Sequence, residues 1–162
     1  MPAVTVFGVH VGLQHTTAPE LVSTWQRIEA LGFGWISVWD HFYGATGRPD
    51  DAACLEAVAM HAALACSTTK VRCGSLVYSV GYRHPAVLAR QATTLDHASG
   101  GRFELGIGWG SVPAELETFG ASTIEDADRQ EVRGVHEEAV VREHDEQVIA
   151  LSGADRPDGG CA

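Results

Sequence analysis

Residues 29–42 read EALGFGWISVWDHF. Upstream, Leu21, Trp25, Ile28 and Leu31 recur at helical spacing, and the pattern stops at Gly32, a residue that closes helices by entering the left-handed region. Three residues later an apolar run begins, Trp35 to Trp39, interrupted only by Ser37. Such a run suits a strand covered on both faces, as in a parallel sheet. It ends abruptly on Asp40-His41, with Phe42 and Tyr43 behind them. A helix that feeds straight into a buried strand, which then finishes on an acid and an imidazole, is the repeating unit of an α/β fold with chemistry at one rim.

The same unit recurs in both directions. Val4 to Gly12 is rich in β-branched residues and predicts a first strand. Thr16-Thr17-Ala18-Pro19-Glu20 predicts a helix start, with hydroxyl caps, Pro and an acid in the first turn. After a Gly/Pro loop from His41 to Asp51, the Ala-rich stretch Ala52 to Cys66 predicts a second helix. Val71 to Val80 predicts a third strand, and Pro85 opens a helix over Ala86–Ser99 that Gly100-Gly101 closes. Phe103 to Ile107 predicts a fourth strand, running into the Gly-rich Gly106-Ile-Gly-Trp-Gly110.

The order β-α-β-α-β-α-β implies parallel strands joined by right-handed crossovers. Two closures are open: a doubly wound sheet or a (β/α)8 barrel. No GxGxxG follows the first strand, which disfavours a dinucleotide site. Polar or Gly-rich groups after strands two, three and four match the C-terminal rim at which α/β barrels keep their active sites. Beyond Gly120 the pattern weakens. The expected layout is residues 1–120 as a barrel half, 121–151 as an acidic helical segment and 152–162, rich in Gly, Asp and Pro, as a disordered tail.

Bulk properties bound the function. The chain has 162 residues, 45% of them hydrophobic and 20% charged, as expected of one globular domain. Its net charge of −10 and lack of a basic patch argue against nucleic-acid binding. No run approaches a membrane span, and the N-terminus lacks the features of a signal peptide, so a cytoplasmic protein with reduced thiols at Cys54, Cys66, Cys73 and Cys161 is expected. No HExxH or Cys/His cluster with zinc spacing occurs, and no metal site is expected.

Three groups are candidates for chemistry. His41, beside the carboxylate of Asp40, has the means to be held in one tautomer and to exchange a proton near neutral pH; alternatively Asp40 is a cap and His41 faces solvent. Trp39, Phe42 and Tyr43 either wall a planar ligand or join the core. Ser75, in Gly74-Ser-Leu-Val-Tyr78, is a polar residue in an apolar strand, where Ser more often bonds to backbone. Gly106, Gly108 and Gly110 either let backbone N–H groups approach a ligand or form a tight turn.

These segments together, EALGFGWISVWDHF, VRCGSLVYSVGYRHPAVLARQATTLDHASGGRFELGIGWG and AELETFG, resemble the N-terminal part of the luciferase-like flavin monooxygenases and their F420-dependent oxidoreductase relatives, from about Phe7 to Gly120. The resemblance implies a fold of the (β/α)8 TIM-barrel type, here a partial barrel of about four parallel strands with a helical, poorly ordered C-terminal tail. It implies F420, or alternatively FMN, at the C-terminal rim, and a small organic substrate undergoing hydride transfer or monooxygenation. It assigns Asp40 and His41 to cofactor contact and protonation. It places a non-proline cis peptide, Ser75-Leu76, behind the ring, and brings Tyr78, Gly108, Trp109 and Gly110 to the cofactor. Where some relatives carry a catalytic Glu after the Gly-rich turn, this chain has Ser111. A complete barrel needs roughly 250 residues. A truncated half-barrel that self-associates, or pairs with a complementing half, is therefore expected, and its alternative function is that of a catalytically inactive dimerising or binding remnant.

Overall fold

The computed structural model describes residues 6–44, 54–120 and 139–141. The chain runs β1 (Gly8–Val11), α1 (Ala18–Ala30), β2 (Trp35–Val38), α2 (Ala57–Ser67), β3 (Arg72–Ser75), β4 (Tyr78–Ser79), α3 (Pro85–Ser99), β5 (Phe103–Gly108), α4 (Pro113–Phe119) and β6 (Ala139–Val141). Strands β1 to β5 are parallel, in the order β1-β2-β3-β5-β4. Because β4 and β6 both pair with Ile107, β6 must run along the opposite edge of β5, and it is antiparallel.

Local chemistry sets the helix ends. Thr17 and Glu20 form a reciprocal capping box on α1: the Glu20 carboxylate accepts the Thr17 N–H at 2.9 Å. Gly100 closes α3 at φ +69°. Helix α2 starts at Ala57, later than the sequence pattern suggests. The N–H groups of Cys54 and Leu55 are instead donated to the carbonyls of Phe42 and Leu13, and Glu56 caps the helix through the Ala59 N–H.

The two faces of the sheet differ in kind. The outer face presents Val9, Val11, Ile36, Val38, Cys73, Phe103, Leu105 and Ile107 to Leu21, Trp25, Ile28, Met60, Leu64 and Leu88, and this is the hydrophobic core. The inner face carries His10, Trp35, Ser37, Trp39, Arg72 and Glu104, because alternate residues of a strand point to opposite sides. His10 Nδ1 lies 2.8 Å from Ser37 Oγ, and Arg72 pairs with Glu104. Trp35 fits only because its strand neighbours are small: a Cβ at Gly74 would sit 2.8 Å from Trp35 Nε1.

The expected third strand is broken in two. From Gly74 to Tyr78 is four steps, whereas their partners Glu104 and Ile107 are three apart, so the strand carries one surplus residue, a β-bulge. The cis peptide bond is Leu76-Val77, one bond later than Ser75-Leu76. The reason lies in the ladder: the Leu76 N–H still donates to the Val38 carbonyl at 2.9 Å, so the preceding peptide belongs to the regular sheet. Ser75 Oγ spans the irregularity, donating to the Gly106 carbonyl at 2.7 Å and accepting the Gly106 N–H at 2.8 Å. At Ala139–Val141 the chain is a strand rather than part of the expected helix, since β5 offers a free ladder edge there. The rest of that segment and the tail lie outside the described residues. Among the described residues no helix is long and apolar enough to cross a membrane.

Candidate active site

Four connections meet at the C-terminal end of the parallel strands. The loop after β2 supplies Asp40 and His41, the turn after β4 supplies Tyr82 and Arg83, helix α4 supplies Glu115, and the cap of α2 supplies Glu56. They sort into two networks.

In the first, Asp40 is buried and accepts the Ser79 N–H at 3.0 Å and both terminal nitrogens of Arg83. Arg83 also donates to Glu56 and lies over the Tyr78 ring. Burial works against the Arg83 charge, but the hydrogen bonds and charges of Asp40 and Glu56 outweigh it and raise its pKa. In the second, Glu115 is wholly buried. Its Oε1 accepts the N–H groups of Phe42 and Tyr43, each at 2.7 Å. Its Oε2 lies 2.8 Å from His41 Nδ1 and receives the Tyr82 hydroxyl at 2.5 Å. Burial disfavours the Glu115 charge, yet the bonds from Tyr82, Tyr43 and His41 prevail and hold its pKa below the usual carboxylate value. Tyr82 moves the other way, raised by burial and by its bond to that carboxylate.

The carboxylate beside His41 is therefore Glu115, 74 positions away, and not its neighbour Asp40. Consecutive residues at a strand end diverge, which sends Asp40 to Arg83 and His41 toward α4. The His41 side chain is 27% exposed. Trp39 stands edge-on between His10 and His41, with ring centroids 5.9 and 5.4 Å away. The Trp39 Nε1 donor is buried with no acceptor among the described residues.

The other candidates scatter. Ser75 is buried and occupied by the Gly106 backbone. Leu76 is partly exposed beside the bulge. Tyr78 is directed into the core instead of the rim: it is 0% exposed, and its hydroxyl reaches His61 Nδ1 at 2.5 Å. Gly108 and Gly110 give room to protein atoms, since a Cβ at Gly108 would meet Val77 Cγ2 and one at Gly110 would meet Ser79 Oγ, both at 2.6 Å. Trp109, between them, is 42% exposed. Glu115, Tyr82 and Arg83 escape a residue-by-residue reading. The only signals were their presence in the segments AELETFG and VGYRHP.

Known proteins place this arrangement. The sequence profile of the family described as luciferase-like monooxygenase matches residues 2–141. The chain belongs to that family. Within it, a 4-hydroxyprotoasukamycin monooxygenase of Streptomyces nodosus subsp. asukaensis is 34% identical over 105 residues, 61% of this chain and 27% of that protein. Among solved structures, the coenzyme F420-dependent tetrahydromethanopterin reductase of Methanopyrus kandleri superposes with a TM-score of 0.59 at 22% identity, covering 72% of this chain and 30% of that one. The oxygenating constituent of 3,6-diketocamphane monooxygenase from Pseudomonas putida, in complex with FMN, superposes with a TM-score of 0.61 at 16% identity, covering 85% of this chain and 44% of that one. The fold is thus a partial barrel of the luciferase-like type, and the matched stretch spans about a quarter of its curated relatives' length, 27% and 26%.

Proposed function

We propose that this chain is the cofactor-facing part of an oxidoreductase that binds F420, or alternatively FMN, and acts on a small organic substrate. The observation that carries this reading is His41, a partly exposed imidazole at the C-terminal end of a parallel strand, tied to a buried carboxylate and set against an indole whose N–H has no acceptor among the described residues. These groups fit a planar ring that offers acceptors at its edge. Trp39 would donate to that edge, His41 and the exposed Trp109 would flank it, Leu76 and the bulge behind Ser75 would back it, and the backbone at Gly108 and Gly110 would border it. Asp40 and Tyr78 contribute from behind: the first fixes the Ser79 backbone and Arg83, the second anchors β4 in the core. When bound, such a ring supplies hydride transfer or oxygen activation, and the protein's part is to orient it and handle protons.

The test is to titrate the purified chain with F420 and with FMN, following absorbance and fluorescence. Saturable binding of either supports the proposal, and His41→Ala is then expected to leave the fold intact while slowing proton-dependent turnover by roughly 10²-fold or more. A second reading, a binding remnant that self-associates or pairs with a complementing half-barrel, is favoured by the outer edge of β1, which pairs only with β2 among the described residues. A folded oligomer that binds neither cofactor would select it.

A further inference from the structure

The four bonds received by Glu115 are not equivalent, and their asymmetry has a consequence for His41. The Phe42 and Tyr43 N–H groups on Oε1 are obligate donors and cannot reverse. The Tyr82 hydroxyl and the His41 ring on Oε2 can each either donate or accept. An ionised carboxylate only accepts, so beside it the imidazole must carry its hydrogen on Nδ1, and Nε2 is left with the lone pair.

We infer that Glu115 is a positioning residue that sets His41 in the Nδ1–H tautomer, making Nε2 the proton-accepting atom of the site. This rests on the reading of His41 as the proton-handling group of an oxidoreductase. The inference has a sharp corollary. In Glu115→Gln the side-chain oxygen must stay with the two backbone N–H groups, which turns the NH₂ toward His41 and Tyr82. His41 Nδ1 then has to accept, and the hydrogen moves to Nε2. A near-isosteric substitution away from the ring thereby inverts which nitrogen can take a proton.

Long-range ¹H–¹⁵N correlation on the ¹⁵N-labelled full chain, above the pH at which the imidazole is protonated, reads the tautomer with no cofactor present. His41→Gln identifies the His41 signals. The wild type is expected to show Nδ1–H in about tenfold or greater excess, and Glu115→Gln to show the excess reversed. Tyr82→Phe, which removes one donor from the same oxygen but leaves the charge, is expected to keep Nδ1–H. Predominant Nε2–H in the wild type, retention of Nδ1–H in Glu115→Gln, or inversion in Tyr82→Phe would each overturn the assignment. Should Glu115→Gln not fold, the wild type and Tyr82→Phe still decide it. Titrating the same samples with F420 and FMN separates the two levels. Binding with the wrong tautomer sinks only this inference, whereas the expected tautomer without binding sinks only the cofactor reading.

Discussion

The outer and inner faces of the parallel sheet are made from alternate residues of the same strands, yet one is finished and the other is open. On the outer face even the polar exception is closed. His61 is wholly buried; its Nε2–H donates to the Gly74 carbonyl at 2.8 Å and its Nδ1 accepts the Tyr78 hydroxyl. On the inner face His10 and Ser37 satisfy one another, but the indole donors of Trp35 and Trp39 are buried with no acceptor among the described residues. An unmade buried hydrogen bond is costly. The contrast teaches that stability is concentrated on the helix side, while the inner side keeps bonding capacity in reserve for something else, whether cofactor or further protein.

Neighbours at 36 and 37 offer the most direct way to break that comparison. Ile36→Ala, at a fully buried outer site, is expected to cost about 2–5 kcal/mol in urea unfolding; a loss under 1 kcal/mol would show that the helix side is not the stabilising one. Acid sharpens the comparison next. Burial lowers the His61 pKa to about 4 from 6.5, so between those values the unfolded chain binds the proton and the folded one does not. The contribution is complete above pH 6.5 and is lost as the pH falls toward 4, by on the order of 3 kcal/mol. An imidazole signal for His61 that titrates like a free histidine would contradict this. Gly106→Ala comes third. Its Cβ would lie 2.3 Å from the Ser75 carbonyl oxygen, a backbone atom with little freedom, and an overpacking cost of about 1–3 kcal/mol is expected in the same assay. The smallest effect belongs to the inner face: Ser37→Ala removes the bond to His10, for about 1 kcal/mol. Parity with Ile36→Ala would dissolve the distinction between faces.

How far these features were legible depends on the sequence distance over which they are decided. The alternation of helix and strand, the Thr17–Glu20 cap and the Gly100 stop are set by residues within a few positions of each other, and the pattern reveals them. The start of α2 was misjudged because backbone bonds from residues 54 and 55 to 42 and 13 overrule the local preference of an Ala-rich run. His41 stood out through its place at a strand end, and its family then followed from neighbouring segments. Its carboxylate partner did not stand out, because nothing local couples position 41 to position 115. The glycines near 106–110 were legible as a requirement for closeness, but the body they approach is the third strand.

That strand's surplus residue has a consequence for direction. Side chains along a strand point alternately up and down, so an uninterrupted third strand that sends Cys73 toward the helices would send Tyr78 to the opposite side. The bulge shifts the phase by one. It returns Tyr78 to the same side as Cys73, in step with Ile107, and leaves the Ser79 N–H to meet Asp40. A single-residue deletion within 75–77 would therefore straighten the sheet and misdirect everything after it. The phenol would be thrown toward the rim, and the clasp between the second and third strands would be undone.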